Sequence, residues 1–273
     1  MSYRGRIAPS PTGYLHLGHA HTFRTAQQRA REGDGVLVLR NEDLDRARSR
    51  PEFVDAMIED LKWFGFEWQE GPDVGGPFAP YNQSGRHHFY RNALEQLQAG
   101  GFIYQCICSR KDILQAAQAP HAGDDEAIYP GTCRSNLKSP ISDRKCSWRF
   151  RVPDGEVVSF LDGQFGTQSF TAGKDFGDFV VWRHDDVPSY QLAVVVDDAA
   201  MHITEVVRGA DLLVSTARQL LLYRALRLTV PAFFHCPLVL DERGERLAKR
   251  HDALSLSSLR ATGKSPTEIR KSW

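Results

Sequence analysis

The feature that most constrains the fold is an alternation of short strand-like and longer helix-like runs that stops abruptly and later resumes. RGRIAPS reads as a strand, the segment from Gly18 to about Glu32 as a helix, GVLVLR as a second strand, and PEFVDAMIEDLKWFGF as an amphipathic helix opened by Pro51. A third helix is expected from about Ser84 to Gln98, ended by Gly100 and Gly101. Strands separated by helices cannot pair as hairpins, so the pattern implies a parallel sheet with crossover helices, an α/β architecture.

The rhythm breaks at IYQCICSRKDI and continues irregularly through APHAGDDEAIYPGTCRSN, followed by β-like CSWRFRV and EVVSFL. It returns with DFVVWR, the segment SYQLAVVVDDAAM, a strand in HITEVVRG and a helix in TARQLLLYRALRL. The expected organisation is a discontinuous α/β domain over 1–104 and 186–236, an insertion over 105–185, and a polar tail over 237–273 with a Gly-containing basic loop. Internal repeats and low-complexity stretches are missing from the sequence.

Composition narrows the class. At 273 residues the chain is long enough for one large domain or two modest ones. No apolar run approaches the ~20 residues that cross a bilayer, and Arg4 and Arg6 precede no apolar leader. A soluble, cytoplasmic protein is the expectation. The formal net charge is zero, which argues against a nonspecific DNA binder and leaves any nucleic-acid contact to local basic patches. Three of the five cysteines fall between 106 and 133, which suits a metal site in a reducing compartment better than a disulfide framework.

The chemistry starts at PSPTGYLHLGHAHT, residues 9–22. Here His16 and His19 flank Leu17 and Gly18 on a turn between a strand and a helix. A helix N-terminus offers unpaired N–H groups and a positive dipole end to an anion. The two imidazoles are suited to hydrogen-bond phosphate oxygens as charge builds at phosphorus, and Gly18 lets a nucleotide approach the backbone.

The longer string RIAPSPTGYLHLGHA resembles the signature of the class I aminoacyl-tRNA synthetases, in particular their glutamyl/glutaminyl branch. That resemblance implies a Rossmann-type catalytic domain with a parallel sheet, an inserted subdomain and a short C-terminal stem. The family's second element is a mobile basic loop, and ERLAKRHDA at 245–253 stands where it belongs, with Lys249 implied to reach the triphosphate as pyrophosphate leaves. Arg246, Ala248 and Arg250 depart from the family's pattern there. The resemblance assigns ATP to His16, Gly18, His19 and Lys249, with Mg²⁺ accompanying the nucleotide. It assigns the amino acid to Arg6, Ser10, Glu42 in LRNEDLDR, Tyr190 in PSYQLAVVVDD and Arg208 in VVRGADLL. Charge logic agrees with glutamate, since two arginines pair two carboxylates and Glu42 meets an α-ammonium.

Cys106, Cys108 and Cys133, the last in YPGTC, form a zinc-like pattern that lacks a fourth ligand. By ligand chemistry alone His121 is the natural choice, with Tyr129 and water as alternatives. CxC followed by YxxxC is similar to the zinc site of the paralogues of glutamyl-tRNA synthetase that glutamylate queuosine, where a tyrosine completes the set, and this resemblance implies Tyr129. Cys146 and Cys236 read as small apolar residues. RSNLKSPISDRKCSWRFRV is locally basic and suited to tRNA phosphates.

The sequence ends at Trp273, soon after Lys249, without the anticodon-binding region of a discriminating glutamyl-tRNA synthetase. The resemblance therefore implies ATP-dependent formation of glutamyl-adenylate without tRNA, then transfer to queuosine in the anticodon loop of tRNA(Asp), by a monomer. The alternatives are a truncated synthetase that charges the tRNA 3′ end and a nucleotide- or tRNA-binding relic without catalysis.

Overall fold

A computed structural model describes residues 2–109, 111–113, 128–135, 146–239 and 255–271. Lys249, His121 and most of the basic segment after Cys133 lie outside these residues.

Strand β1 (Arg4–Ile7) pairs in parallel with β2 (Val36–Leu39), joined by helix α1 (Leu17–Glu32). Helix α2 (Pro51–Phe64) starts with proline at its first turn, where the missing N–H is no loss. It stops at Gly65, whose φ of 90° is left-handed and suits glycine. Helix α3 (His87–Ala99) follows a single 3₁₀ turn at Gln83–Gly85, so the helix expected from Ser84 is broken near its start by Arg86.

Strands β3 (Ile103–Cys106), β4 (Ser147–Phe150) and β7 (Phe179–Trp182) make a three-stranded antiparallel sheet in the order β3-β4-β7. Between them in sequence, β5 (Val157–Asp162) and β6 (Gly166–Thr171) form a hairpin. The apolar helix α4 (Tyr190–Ala200) is capped by Ser189, whose Oγ accepts the Leu192 N–H at 3.4 Å. Strand β8 (Glu205–Gly209), helix α5 (Leu213–Ala225) and strand β9 (Ala232–Cys236) complete the alternation, β8 and β9 being parallel. Two short helices, α6 (Leu256–Ala261) and α7 (Pro266–Lys271), end the described chain.

Two strands find partners that the sequence reading left unspecified. DFVVWR, read as the return of the alternating rhythm, supplies β7 and pairs antiparallel with β4. EVVSFL, placed with the insertion, supplies β5, whose last residue Asp162 pairs in parallel with Phe233 of β9. Period-2 apolarity marks a strand but carries no information about which edge it joins.

The two halves of the alternating pattern meet at β1 and β8. Thr204 donates its backbone N–H to Arg4 O at 2.9 Å, and Glu205 accepts two bonds of 2.6 Å from Arg29 of α1 and one of 2.8 Å from the Tyr3 hydroxyl. One apolar cluster sits between the first strand pair, α1 and α2, with Ile7, Leu39, Phe23 and Leu61 at its centre. A second, with Tyr90, Trp182, Leu192 and Leu222, lies among α3, α4 and α5. Among the described residues no helix is long and apolar enough to cross a membrane. The loops after β1, β2 and β8 open at the carboxyl ends of their strands, the edge where α/β sheets bind ligands.

Candidate active site

Arg6 on β1 and Arg208 on β8 are both 4% exposed, and Glu42 just past β2 is 8% exposed. Arg6 and Glu42 stay charged in a low-dielectric interior by pairing with buried groups of opposite sign. Arg40, fully buried, donates to Asp198 Oδ1 at 2.6 Å and to Glu42 Oε1 at 3.0 Å, and Arg6 Nε stands 3.4 Å from the same Asp198 oxygen. Arg6 also donates to Val207 O at 2.8 Å. The next residue, Asp197, accepts from Arg86 at 2.6 Å and from Gln83 and Tyr90 at 2.8 Å each. Arg6, Arg40 and Arg86 thus face Glu42, Asp197 and Asp198, three cations against three anions. Burial raises the Glu42 pKa although Arg40 and Arg6 oppose the shift, so an ammonium arriving here would relieve a strained carboxylate.

Arg208 differs from the other buried arginines. It donates through Nε to His235 Nε2 at 3.2 Å, through Nη1 to the Tyr190 hydroxyl at 3.3 Å and through Nη2 to Thr216 Oγ1 at 2.8 Å. Burial, then the Arg208 charge, lower the His235 pKa to about 4, so the ring is neutral at physiological pH. Among the described residues the hydrogen-bond partners of Arg208 are therefore all uncharged. The two clusters adjoin, since Arg6 donates to the carbonyl of Val207, the residue before Arg208. Tyr190, 38% exposed at the first turn of α4, is the most exposed of the residues around Arg208. Ser10 is exposed on the loop after β1, and that loop is fixed to the Glu42 loop by a 3.0 Å bond from Glu42 N–H to Pro9 O.

His16 is the N-terminal flanking residue of α1, and its ring stacks on His19 with centroids 3.8 Å apart. Burial lowers the His16 pKa. Packing beneath the turn, together with His16, holds His19 below the ordinary imidazole range even though one side of that residue remains open to solvent. The lone pair of His19 Nδ1 accepts the His16 backbone N–H at 3.5 Å, and a neutral imidazole keeps an N–H for a phosphate. Among the described residues a side chain at Gly18 would meet only His16, at 3.4 Å or more. Ser255, six positions after Lys249, bridges to His16, and Leu256 N–H donates to Leu15 O at 2.7 Å, which brings the chain leaving the basic loop back to this turn.

The cysteine set also converges. The sulfurs of Cys106, Cys108 and Cys133 all lie within 4.8 Å of one another. The Tyr129 hydroxyl lies 3.4 Å from Cys106 Sγ and 3.5 Å from Cys108 Sγ, and Cys108 Sγ is 3.5 Å from Cys133 Sγ. A tetrahedral zinc with its usual bond lengths requires S···O edges of about 3.5 Å and S···S edges of about 3.8 Å. The two S···O edges and the Cys108–Cys133 edge come within about 0.3 Å of those lengths, and the Tyr129 hydroxyl is held in place by the Cys133 backbone N–H at 2.8 Å. Arg149 donates to Cys106 Sγ at 3.3 Å and stacks over the Tyr129 ring, fixing both from outside. Cys236 is buried at the end of β9 and Cys146 is half-buried, apart from this set.

Of the residues singled out in the sequence, then, Arg6, Glu42, Tyr190 and Arg208 come together, His16, Gly18 and His19 share one turn, and Cys106, Cys108, Tyr129 and Cys133 form a third group. Sequence reasoning missed Arg40, Asp197, Asp198, Asp162, His235 and Thr216. Only Asp197 and Asp198 left a signal, two acids inside the apolar helix string VVVDDAA.

A phosphate-suited turn and a buried, charge-alternating pocket at the carboxyl edge of a parallel sheet define an amino-acid-activating catalytic domain of the class I type. The model of the family described as tRNA synthetases class I (E and Q), catalytic domain, matches residues 2–272, and the chain belongs to that family. It is 52% identical over 271 residues to the glutamyl-Q tRNA(Asp) synthetase of Symbiobacterium thermophilum, covering 97% of this chain and 83% of that protein. It is 50% identical to the protein of the same name from Nitratidesulfovibrio vulgaris, covering 95% and 82%. The crystal structure of the glutamate-tRNA synthetase of Elizabethkingia anophelis superposes with a TM-score of 0.81 at 32% identity, over 92% of this chain and 53% of that one.

Proposed function

We propose that the chain is a ligase that activates L-glutamate with ATP and passes it to the queuosine base of tRNA(Asp). The observation that carries the glutamate reading is Arg208, a buried guanidinium whose described hydrogen-bond partners are all neutral. A carboxylate on the ligand supplies the missing counter-charge, with charge-assisted bonds about twice as strong as neutral ones. Arg208 and Tyr190 take the side-chain carboxylate, Arg6 and Ser10 the α-carboxylate end, and Glu42 the α-ammonium. Glutamine would present a neutral amide to Arg208, which costs about 1–3 kcal/mol of binding.

In the first step an α-carboxylate oxygen attacks the α-phosphorus of ATP, the new P–O bond forms, and the bond to the bridging oxygen of pyrophosphate breaks. His16 and His19 hydrogen-bond the phosphate oxygens as charge accumulates, Gly18 leaves room for the nucleotide, and Lys249 neutralises the departing pyrophosphate. Mg²⁺ bound with ATP screens the same negative charge. In the second step a hydroxyl of the queuosine ring displaces AMP from the glutamyl carbon, and its proton leaves to solvent or phosphate. Zinc held by Cys106, Cys108, Tyr129 and Cys133 would cross-link the end of β3 to the 129–133 segment, a structural role with all four positions filled by protein.

The queuosine acceptor rests on likeness to the two glutamyl-Q tRNA(Asp) synthetases. Glutamate-dependent ATP/pyrophosphate exchange without tRNA tests activation. Labelled glutamate should then load onto tRNA(Asp) that carries queuosine and not onto the unmodified form. The likeness to a glutamate-tRNA synthetase supports a second reading, charging of a tRNA 3′ end, for which loading onto tRNA(Glu) would be lost after periodate treatment of that end.

A further inference from the structure

We infer that Asp162 and His235 are positioning residues for Arg208: the Asp162 carboxylate fixes which nitrogen of His235 carries the proton, and the other nitrogen holds the Arg208 Nε–H so that the guanidinium faces the amino acid's side-chain carboxylate. This rests on the glutamate reading above.

Asp162 ends β5, where the hairpin meets β9. Its Oδ1 accepts the backbone N–H groups of Gln164 at 3.0 Å and Phe165 at 2.9 Å. Its Oδ2 accepts the His235 backbone N–H at 3.1 Å and lies 2.6 Å from His235 Nδ1. An ionised carboxylate only accepts, so Nδ1 carries the ring proton. Burial opposes ionisation of Asp162, but the bonds from His235, Phe165 and Gln164 outweigh it and hold the carboxyl below its ordinary range. The neutral ring then has a bare Nε2, 3.2 Å from Arg208 Nε and 3.0 Å from Thr216 Oγ1. The opposite tautomer would set an N–H against the guanidinium N–H. Among the described residues Arg208 has no acidic hydrogen-bond partner to fix its plane, so this lone pair, with the Thr216 and Tyr190 hydroxyls, does so. A residue of the hairpin 46 positions before Arg208 thereby acts on the pocket through a ring and not through the ligand.

Asp162→Asn changes the tautomer and also withdraws the Oδ2 acceptor of the His235 backbone N–H, leaving that N–H the oxygen at 3.4 Å. Its amide oxygen stays with the Gln164 and Phe165 N–H groups, the NH₂ is turned towards Nδ1, and the ring proton is driven to Nε2. In ATP/pyrophosphate exchange the KM for glutamate is expected to rise at least about tenfold while the KM for ATP stays within about twofold. In a His235→Gln background, where the side-chain oxygen accepts from Arg208 whatever residue 162 is, the same change should add less than about twofold. Should Asp162→Asn fail to fold, His235→Gln against His235→Leu makes the same comparison, Gln keeping a low glutamate KM and Leu losing it. An unmoved glutamate KM, a joint rise in both KM values, or an equal loss in the His235→Gln background would overturn the inference. Ring ¹⁵N NMR separates the two levels of the argument: a native chain without glutamate-dependent exchange defeats the functional reading, whereas an Nε2–H tautomer in the native chain defeats this one.

Discussion

Arg208 shows how much of a pocket can depend on one side chain's company. Replacing it with lysine keeps the charge but removes the planar fork and the Nε donor, so the three contacts to His235, Tyr190 and Thr216 cannot all be made. Arg208→Lys is expected to lower kcat/KM for glutamate roughly 10²-fold, the equivalent of two charge-assisted hydrogen bonds, with the ATP KM unchanged in the exchange assay. Glu42→Gln should raise the KM for glutamate by about tenfold, because the ammonium then meets an amide beside Arg40 and Arg6. An equal effect on both substrates would instead mark Glu42 as part of the scaffold. Arg6, Glu42, Tyr190 and Arg208 can be named from the sequence because each sits in a short string, RIAPSPTG, RNEDLD, PSYQ or VVRG. Asp162 and His235 cannot. They meet across 73 positions, and FFHCP reads as an ordinary strand with a histidine in it.

At the scale of elements, alternation and the opening of α2 at Pro51 were legible, while its stop at Gly65, inside the string read as one helix, and the strand partners were not. The contact between α2 and α6 carries a titration. Asp60 is fully buried on α2, 3.5 Å from Arg260 of α6, which itself bonds Glu59 at 3.0 Å. Burial raises the Asp60 pKa to about 6 despite Arg260. The folded chain then holds this proton more tightly than the unfolded one, so the group destabilises as pH rises from about 4 to about 6 and the penalty persists above. Asp60→Asn should add about 1–2 kcal/mol in urea unfolding at pH 8 and nothing near pH 4. A gain of equal size at both pH values would show that the carboxylate's charge is not the cause. The β3 end and the 129–133 segment make a second such contact, through four donors. Elemental analysis should find about one zinc per chain, and Cys108→Ser should weaken retention against a chelator by at least about tenfold, since a hydroxyl is a poor substitute for thiolate.

For the whole molecule, the decisive join is between parts of the chain some 200 residues apart. Tyr3 and Arg29 come from the first segment and Glu205 from the last, and Arg6 from the first segment shares Asp198 with Arg40. The proposed glutamate pocket therefore needs both the β1–β2 pair and the sheet that holds β8, and a ligand that fills it stabilises their association and not one part alone. A non-hydrolysable glutamyl-adenylate analogue at 100 times its Kd is expected to add about 2.7 kcal/mol to a single unfolding transition. Arg208→Met, with little volume change but no charge, should unfold in the same single transition and lose most of that ligand-induced gain. Two transitions, only one of them moved by the analogue, would mean that the segments fold independently and that the pocket belongs to one of them, against the cross-chain bonding of Glu205.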